Sequence, residues 1–229
     1  MRALSLGSTL FLAASLVFAN NFPRLVNLRI EGATGTIYEA PILTRGHNIT
    51  TASGGNHHCD GTNFGANASP GATCTSALAD AAHLDRFTFD GTFFEEFDDF
   101  FITRIGDSSE TATQDWGVLL NFSFTPVGGC QQEVKPFQHV LWAFDAFNAE
   151  HFLKLDGPRV IHAGQAATYT VVDGLNHTNV PVGGATLNGQ TTNAAGQVTL
   201  IFPSPGPRSL KATKSDSIRS NRLDVLVVP

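Results

Sequence analysis

Three imidazoles and a carboxylate crowd one stretch of this chain, His47 followed by His57, His58 and Asp60 in the run NHHCD. Imidazole nitrogen ligates zinc and copper, so a metal site is one chemistry open to these residues. Adjacent His57 and His58 project to opposite sides of an extended chain, so a single centre needs a turn or a third ligand such as His47 or Asp60. Loop polarity beside a disulfide accounts for the same residues, and no metal or cofactor is assigned.

A second concentration lies in RFTFDGTFFEEFDDFFITRIG (86–106), where Asp90, Glu95, Glu96, Asp98 and Asp99 interleave with phenylalanines. Paired carboxylates suit glycoside hydrolysis, and oxygen ligands suit calcium, but the DxDxDG loop pattern is missing. Phe93, Phe94, Phe97, Phe100 and Phe101 follow i, i+3, i+4 spacing, which predicts an amphipathic acidic helix or a short turn with the acids on the wet side. Aromatic density also suits a ligand groove, so Phe93, Phe94, Glu96 and Asp99 join His57, His58 and Asp60 as candidate ligand-binding residues. No GxSxG, HExxH or phosphate-loop sequence occurs, and no catalytic residue is assigned.

The compartment follows from the amino terminus and the cysteines. Arg2, the apolar run LFLAASLVF (10–18) and Val17 and Ala19 before a cleavage point describe a secretory signal peptide over 1–19, with Asn20 as the mature terminus. The stretch is too short for a membrane anchor, and no later segment is apolar enough to span a bilayer. Three cysteines remain, Cys59, Cys74 and Cys130. Cys59 and Cys74 are the expected disulfide, closing a Gly/Asn/Pro-rich loop, with Cys130 in a Gly128-Gly129 turn as the other possible partner of either. Asn48, Asn67, Asn121 and Asn176 head glycosylation sequons, meaningful in a eukaryotic host.

The elements that must position these residues are mainly β. Among 229 residues, 22 are Gly and 11 Pro while only 15% are charged, which suits strands and turns better than long solvated helices. The net charge of −6 with no Lys/Arg run excludes electrostatic nucleic-acid binding. Charge is split, −8 over residues 1–155 and +2 over 156–229, with Gly157-Pro158 between them. Two domains are therefore expected, 20–156 and 157–229. The first offers strands at 25–32, 36–44 (Pro41 marking an edge), 116–124, 133–144 and 151–155, a long loop over 45–72, and a short helix at 74–83 capped by Thr75 or Ser76. The second offers seven short strands with regular turns, a β-sandwich pattern.

Two resemblances sharpen this. Asp173, Gly174, Pro181, Val182, Gly184, Ala185, Thr192 and Gly196 stand in the D-x-x-G, P-V-x-G-A and T-x-x-x-G order of immunoglobulin-like repeats of bacterial surface proteins. The preceding segment, from VNLRIEG through WGVLLNF and GGCQQEV to HVLWAFDAF, resembles transcobalamin carboxy-terminal-like domains of secreted and surface-layer-type proteins. Those resemblances imply a β-grasp-like α+β domain followed by an immunoglobulin-like β-sandwich. They also imply a non-enzymatic surface or extracellular module with an extracellular or cell-surface ligand. The competing expectation is a small secreted enzyme or small-molecule binder using the Phe-rich acidic segment and the His57/His58/Asp60 loop.

Overall fold

The computed structural model describes residues 21–229; the signal peptide expectation lies outside the described residues. The chain is mainly β, with one α-helix among the described residues. Strand β1 (Arg24–Glu31) is the centre of the first half, because its alternation serves two layers. Val26, Leu28 and Ile30 enter one core, and Asn27, Arg29 and Glu31 face the other way. β1 pairs antiparallel with β2 (Thr36–Thr44) and parallel with the strand His139–Phe144, which pairs antiparallel with Trp116–Leu120. Pro41 sits on β2, the edge strand, where a missing N–H breaks no ladder.

Helix α1 (Cys74–Asp85) packs across this sheet, giving the β-grasp-like arrangement of a helix over a mixed sheet with parallel central strands. Its cap is Thr73, earlier in the chain than the Thr75 or Ser76 that the sequence suggests. Thr73 Oγ1 accepts from Ser76 N at 3.0 Å and Thr73 N donates to Ser76 Oγ at 2.8 Å, so a serine completes the capping box.

Three local expectations change. The stretch 45–72 is not one loop, since β3 (His47–Thr51) and β4 (Gly55–Cys59) form a hairpin within it. The Phe-rich acidic segment is a hairpin, β5 (Phe89–Phe94) against β6 (Asp99–Ile105), so the expected helix is absent and the alternative, a short turn, is present over 95–98. Phe-Phe doublets on the two arms of a hairpin imitate helical spacing. In the register Phe93 opposes Phe100, which is buried, while Phe94 and Phe101 are exposed. The run WGVLLNFSF turns back on itself at Asn121-Phe122, both with positive φ, to pair Leu120 with Ser123 in a tight hairpin.

The second half is a sandwich around a core of Leu153, Leu155, Tyr169, Val171, Leu187, Leu200, Leu223 and Val225, among others. Its first strand is His151–Asp156, which pairs with Ala166–Asp173 and, in parallel, with Ser217–Ile218. The sequence places this strand in the first half; its alternation explains the reassignment. Leu153 and Leu155 fill the sandwich, whereas Phe152 joins Leu119, Leu141, Ala143, Ala146 and Ile218 in a third core shared by both halves. The central sheet is thus covered on both faces.

Charged groups complete the contact between halves. Glu31, 1% exposed, receives Arg219 Nε at 2.8 Å and Thr36 Oγ1 at 2.9 Å on one oxygen, while Lys211 Nζ stands 2.6 Å from the other in ionic contact outside hydrogen-bonding angles. Lys211 also meets Glu39 Oε2 at 2.5 Å, and Arg29 Nη1 donates to the Arg219 carbonyl at 3.0 Å.

Candidate functional site

The candidate residues converge on one corner, where the β3–β4 hairpin, the following loop and the β5–β6 turn meet. As extended backbone requires, His57 and His58 leave β4 on opposite faces. His57 stacks on Phe93 with centroids 3.7 Å apart and planes 6° from parallel, and meets the edge of Phe100 at 5.9 Å. His58 turns the other way, its Nδ1 3.2 Å from Asp60 Oδ1 and its Nε2 2.8 Å from Asp98 Oδ1.

Each carboxylate here has further partners. Asp60 Oδ1 accepts from Thr62 Oγ1 at 2.6 Å and Thr62 N at 3.1 Å, and Asp98 Oδ2 accepts from Phe64 N at 3.1 Å. The Asp60 hydrogen bond raises the His58 pKa above the ordinary histidine value, with the Asp98 charge adding to it. A protonated imidazole donating from both nitrogens fits that placement. Asp60 in turn is held below the usual carboxylate range, because its bonds from Thr62 and His58 together outweigh burial, which by itself raises it.

Asp99 is buried rather than on the wet side. Its Oδ1 accepts from Phe100 N at 2.7 Å and Cys130 N at 3.0 Å. Burial pushes its pKa up to about 6 against those backbone donors, and the charge of Asp98 adds to the rise. Gly128 packs directly on this carboxylate, where a side chain has no room. Phe94 and Glu96 lie exposed on the hairpin tip.

The disulfide joins Cys59 to Cys130, not to Cys74. Cys74 is the first residue of α1 and lies in the core as a free thiol, its pKa driven far up by burial. The turn 128–132 instead crosses the helix start, with Thr75 N donating to the Gly129 carbonyl at 3.1 Å and Gly61 N to the Cys130 carbonyl at 3.0 Å, which sets Cys130 beside the end of β4. Loop length favours the nearer cysteine; the capped helix removes it.

Among the described residues no three His, Cys, Asp or Glu side chains converge as a metal site. Both His58 nitrogens face carboxylates, and His47 is turned to α1, where Nε2 lies 3.1 Å from Asp80 Oδ1. Asp98 is the member of this corner that the sequence does not single out for binding, since only the positive φ (52°) of the turn brings it under His58. Of the sequon asparagines, Asn48, Asn67 and Asn176 are exposed, while Asn121 is half-buried and its Oδ1 accepts from His139 N at 2.9 Å. Among the described residues no helix is long and apolar enough to cross a membrane. Comparison with protein-family models, curated proteins and solved structures finds no match.

Proposed function

We propose that the chain is a secreted, non-enzymatic module that binds or scaffolds at an extracellular or cell surface. The observation that carries this is the engagement of the corner's acid and base groups with one another: His58 spans Asp60 and Asp98, and Asp99 is closed over by backbone. Both ring nitrogens of His58 are taken by carboxylates, which leaves neither free to exchange a proton with a substrate, and these contacts join three loops. The Cys59–Cys130 disulfide beside them supports an oxidising compartment, as does the signal-type amino terminus.

Two measurements test the reading. Terminal sequencing of protein recovered from culture medium is expected to begin at Asn20; retention inside the cell with Met1 intact overturns the compartment. His58→Ala is expected to lower thermal stability and to abolish no turnover in a panel of ester, glycoside and phosphoester substrates. A turnover lost in that variant at unchanged stability overturns the non-enzymatic assignment.

A further inference from the structure

Between the two halves lies a cleft of 670 Å³, within the ~300–1,000 Å³ range of small-molecule sites. Its floor is the face of β1 and of His139–Phe144 turned away from α1, and its far wall is formed by His151–Asp156 and Asn221–Asp224. Four permanent cations line it, Arg29, Lys154, Arg159 and Arg222, in a chain whose net charge is −6.

Two of the three carboxylates of the same cleft are paired with cations. Glu39 is bound by Lys211 Nζ and by Arg222 N, Asp156 accepts from Gly157 N, and Asp224 accepts from Ser209 Oγ and Arg222 Nε. Among the described residues neither Lys154 nor Arg159 forms an ion pair with a carboxylate; Lys154 Nζ meets the amide oxygen of Asn179, at 3.3 Å. The lining thus holds four cations against three carboxylates, and the positive excess lies at Lys154 and Arg159 in a partly enclosed space.

A fixed apolar surface adjoins it. Phe122 is held at φ 64°, a conformation costly for a bulky side chain, between the Arg29 guanidinium 5.5 Å from its ring centre and the backbone of Gly174. Asn176 N donates to its carbonyl at 2.9 Å, so the second half secures the strained turn of the first. His139, on the floor, has its pKa lowered by burial and by the charges of Arg29 and Lys154.

From this geometry we infer that the cleft is a binding site for a small oxyanion, a carboxylate, sulfate or phosphate group carried on a body about the size of one or two sugar rings. The planar guanidiniums supply paired donors for such an oxyanion, Lys154 supplies a point charge, and Phe122 with Leu141 and Pro41 supplies the apolar bed. The inference rests on the module being a binder and gives that binder a ligand class.

Calorimetric titration of the full secreted chain with D-glucuronate, citrate, inorganic sulfate and inorganic phosphate, beside neutral glucose, separates the possible oxyanions. At least one anion is expected to bind, and the Lys154→Gln/Arg159→Gln double variant is expected to weaken it about tenfold or more. Lys135→Gln, which removes an exposed cation outside the cleft, is expected to leave binding unchanged. Bound anion should also raise the pKa of the His139 imidazole, followed by nuclear magnetic resonance, because it neutralises Arg29 and Lys154. Absence of binding by every anion, or equal binding by the double variant, overturns the site and leaves the module assignment standing. Chemical conversion of a bound anion overturns the non-enzymatic assignment and leaves the site standing.

Discussion

Lys211 Nζ stands 2.6 Å from Glu31 Oε1, joining the last part of the chain to the end of its first strand. Glu31 is almost without solvent contact, so its charge depends on Lys211 and Arg219 for compensation. Removing Glu31 leaves Arg219 without its carboxylate and Lys211 with Glu39 alone, which costs more than the group contributes net. Glu31→Gln is expected to lower the unfolding free energy by about 3 kcal/mol in urea titrations. Lys211→Met, which leaves Arg219 in place, is expected to cost less. Equal stability of Glu31→Gln and the parent would show the cluster to be superficial.

Asp99 sets a pH dependence of definite sign. Its folded pKa, about 6, exceeds the ordinary 3.8, so between those values the native state binds more protons than the unfolded chain. Its contribution therefore falls as pH rises from about 4 to about 6, by about 2 to 3 kcal/mol, and is flat above that. Asp99→Asn should remove this slope. Unfolding midpoints taken across that window for both proteins make the comparison, and parallel curves would contradict it.

His58 acts in a higher window. Its raised pKa means that the bonds to Asp60 and Asp98 contribute fully below the ordinary histidine value and are lost as pH rises through the folded one. The imidazole is partly exposed, so the effect is local rather than global. Amide exchange at Thr62 and Phe64 is expected to speed up on that rise beyond the intrinsic base catalysis, and Asp98→Asn should move the change to lower pH. Exchange that follows intrinsic rates alone would contradict a role of the His58 contacts in holding these amides.

Peptide mapping under non-reducing conditions should recover Cys59 linked to Cys130. Cys74 should resist alkylation in the native protein and react once denatured, since it is buried and its thiol is held neutral. In the chain-entropy picture a cross-link spanning 71 residues is worth about 4 kcal/mol, so Cys130→Ser should cost a comparable amount. A Cys59–Cys74 peptide would contradict the fold of this corner.

Strand alternation is legible in the sequence of β1, where Val26, Leu28 and Ile30 alternate with the polar Asn27, Arg29 and Glu31, and so is the helix, whose Ala-rich run needs only a cap. The Phe-rich hairpin is not, because paired aromatic doublets satisfy a helical and a hairpin template alike. Extended spacing does separate His57 and His58 to opposite faces, yet their partners Phe93 and Asp98 come from a distant hairpin that no local spacing reveals. The charge asymmetry is visible as a difference between halves; its meaning requires seeing Glu31 and Glu39 meet Lys211 and Arg219. Strand His151–Asp156 is assigned to the wrong half by sequence because alternation tells which residues share a face, not which sheet receives it.

The parallel pairing of β1 with His139–Phe144 has a consequence for the order of assembly. β1 leaves the ribosome first among the described strands, yet its central partner is the last strand of that sheet, with most of the first half lying between them. Through the Cys59–Cys130 bond the path between the same two strands shrinks to well under half that length, which lowers the entropic cost of bringing them together by about 1 kcal/mol. Oxidation before sheet closure thus shortens the search for the one contact that local structure cannot nucleate, while oxidation after it only secures a sheet already found.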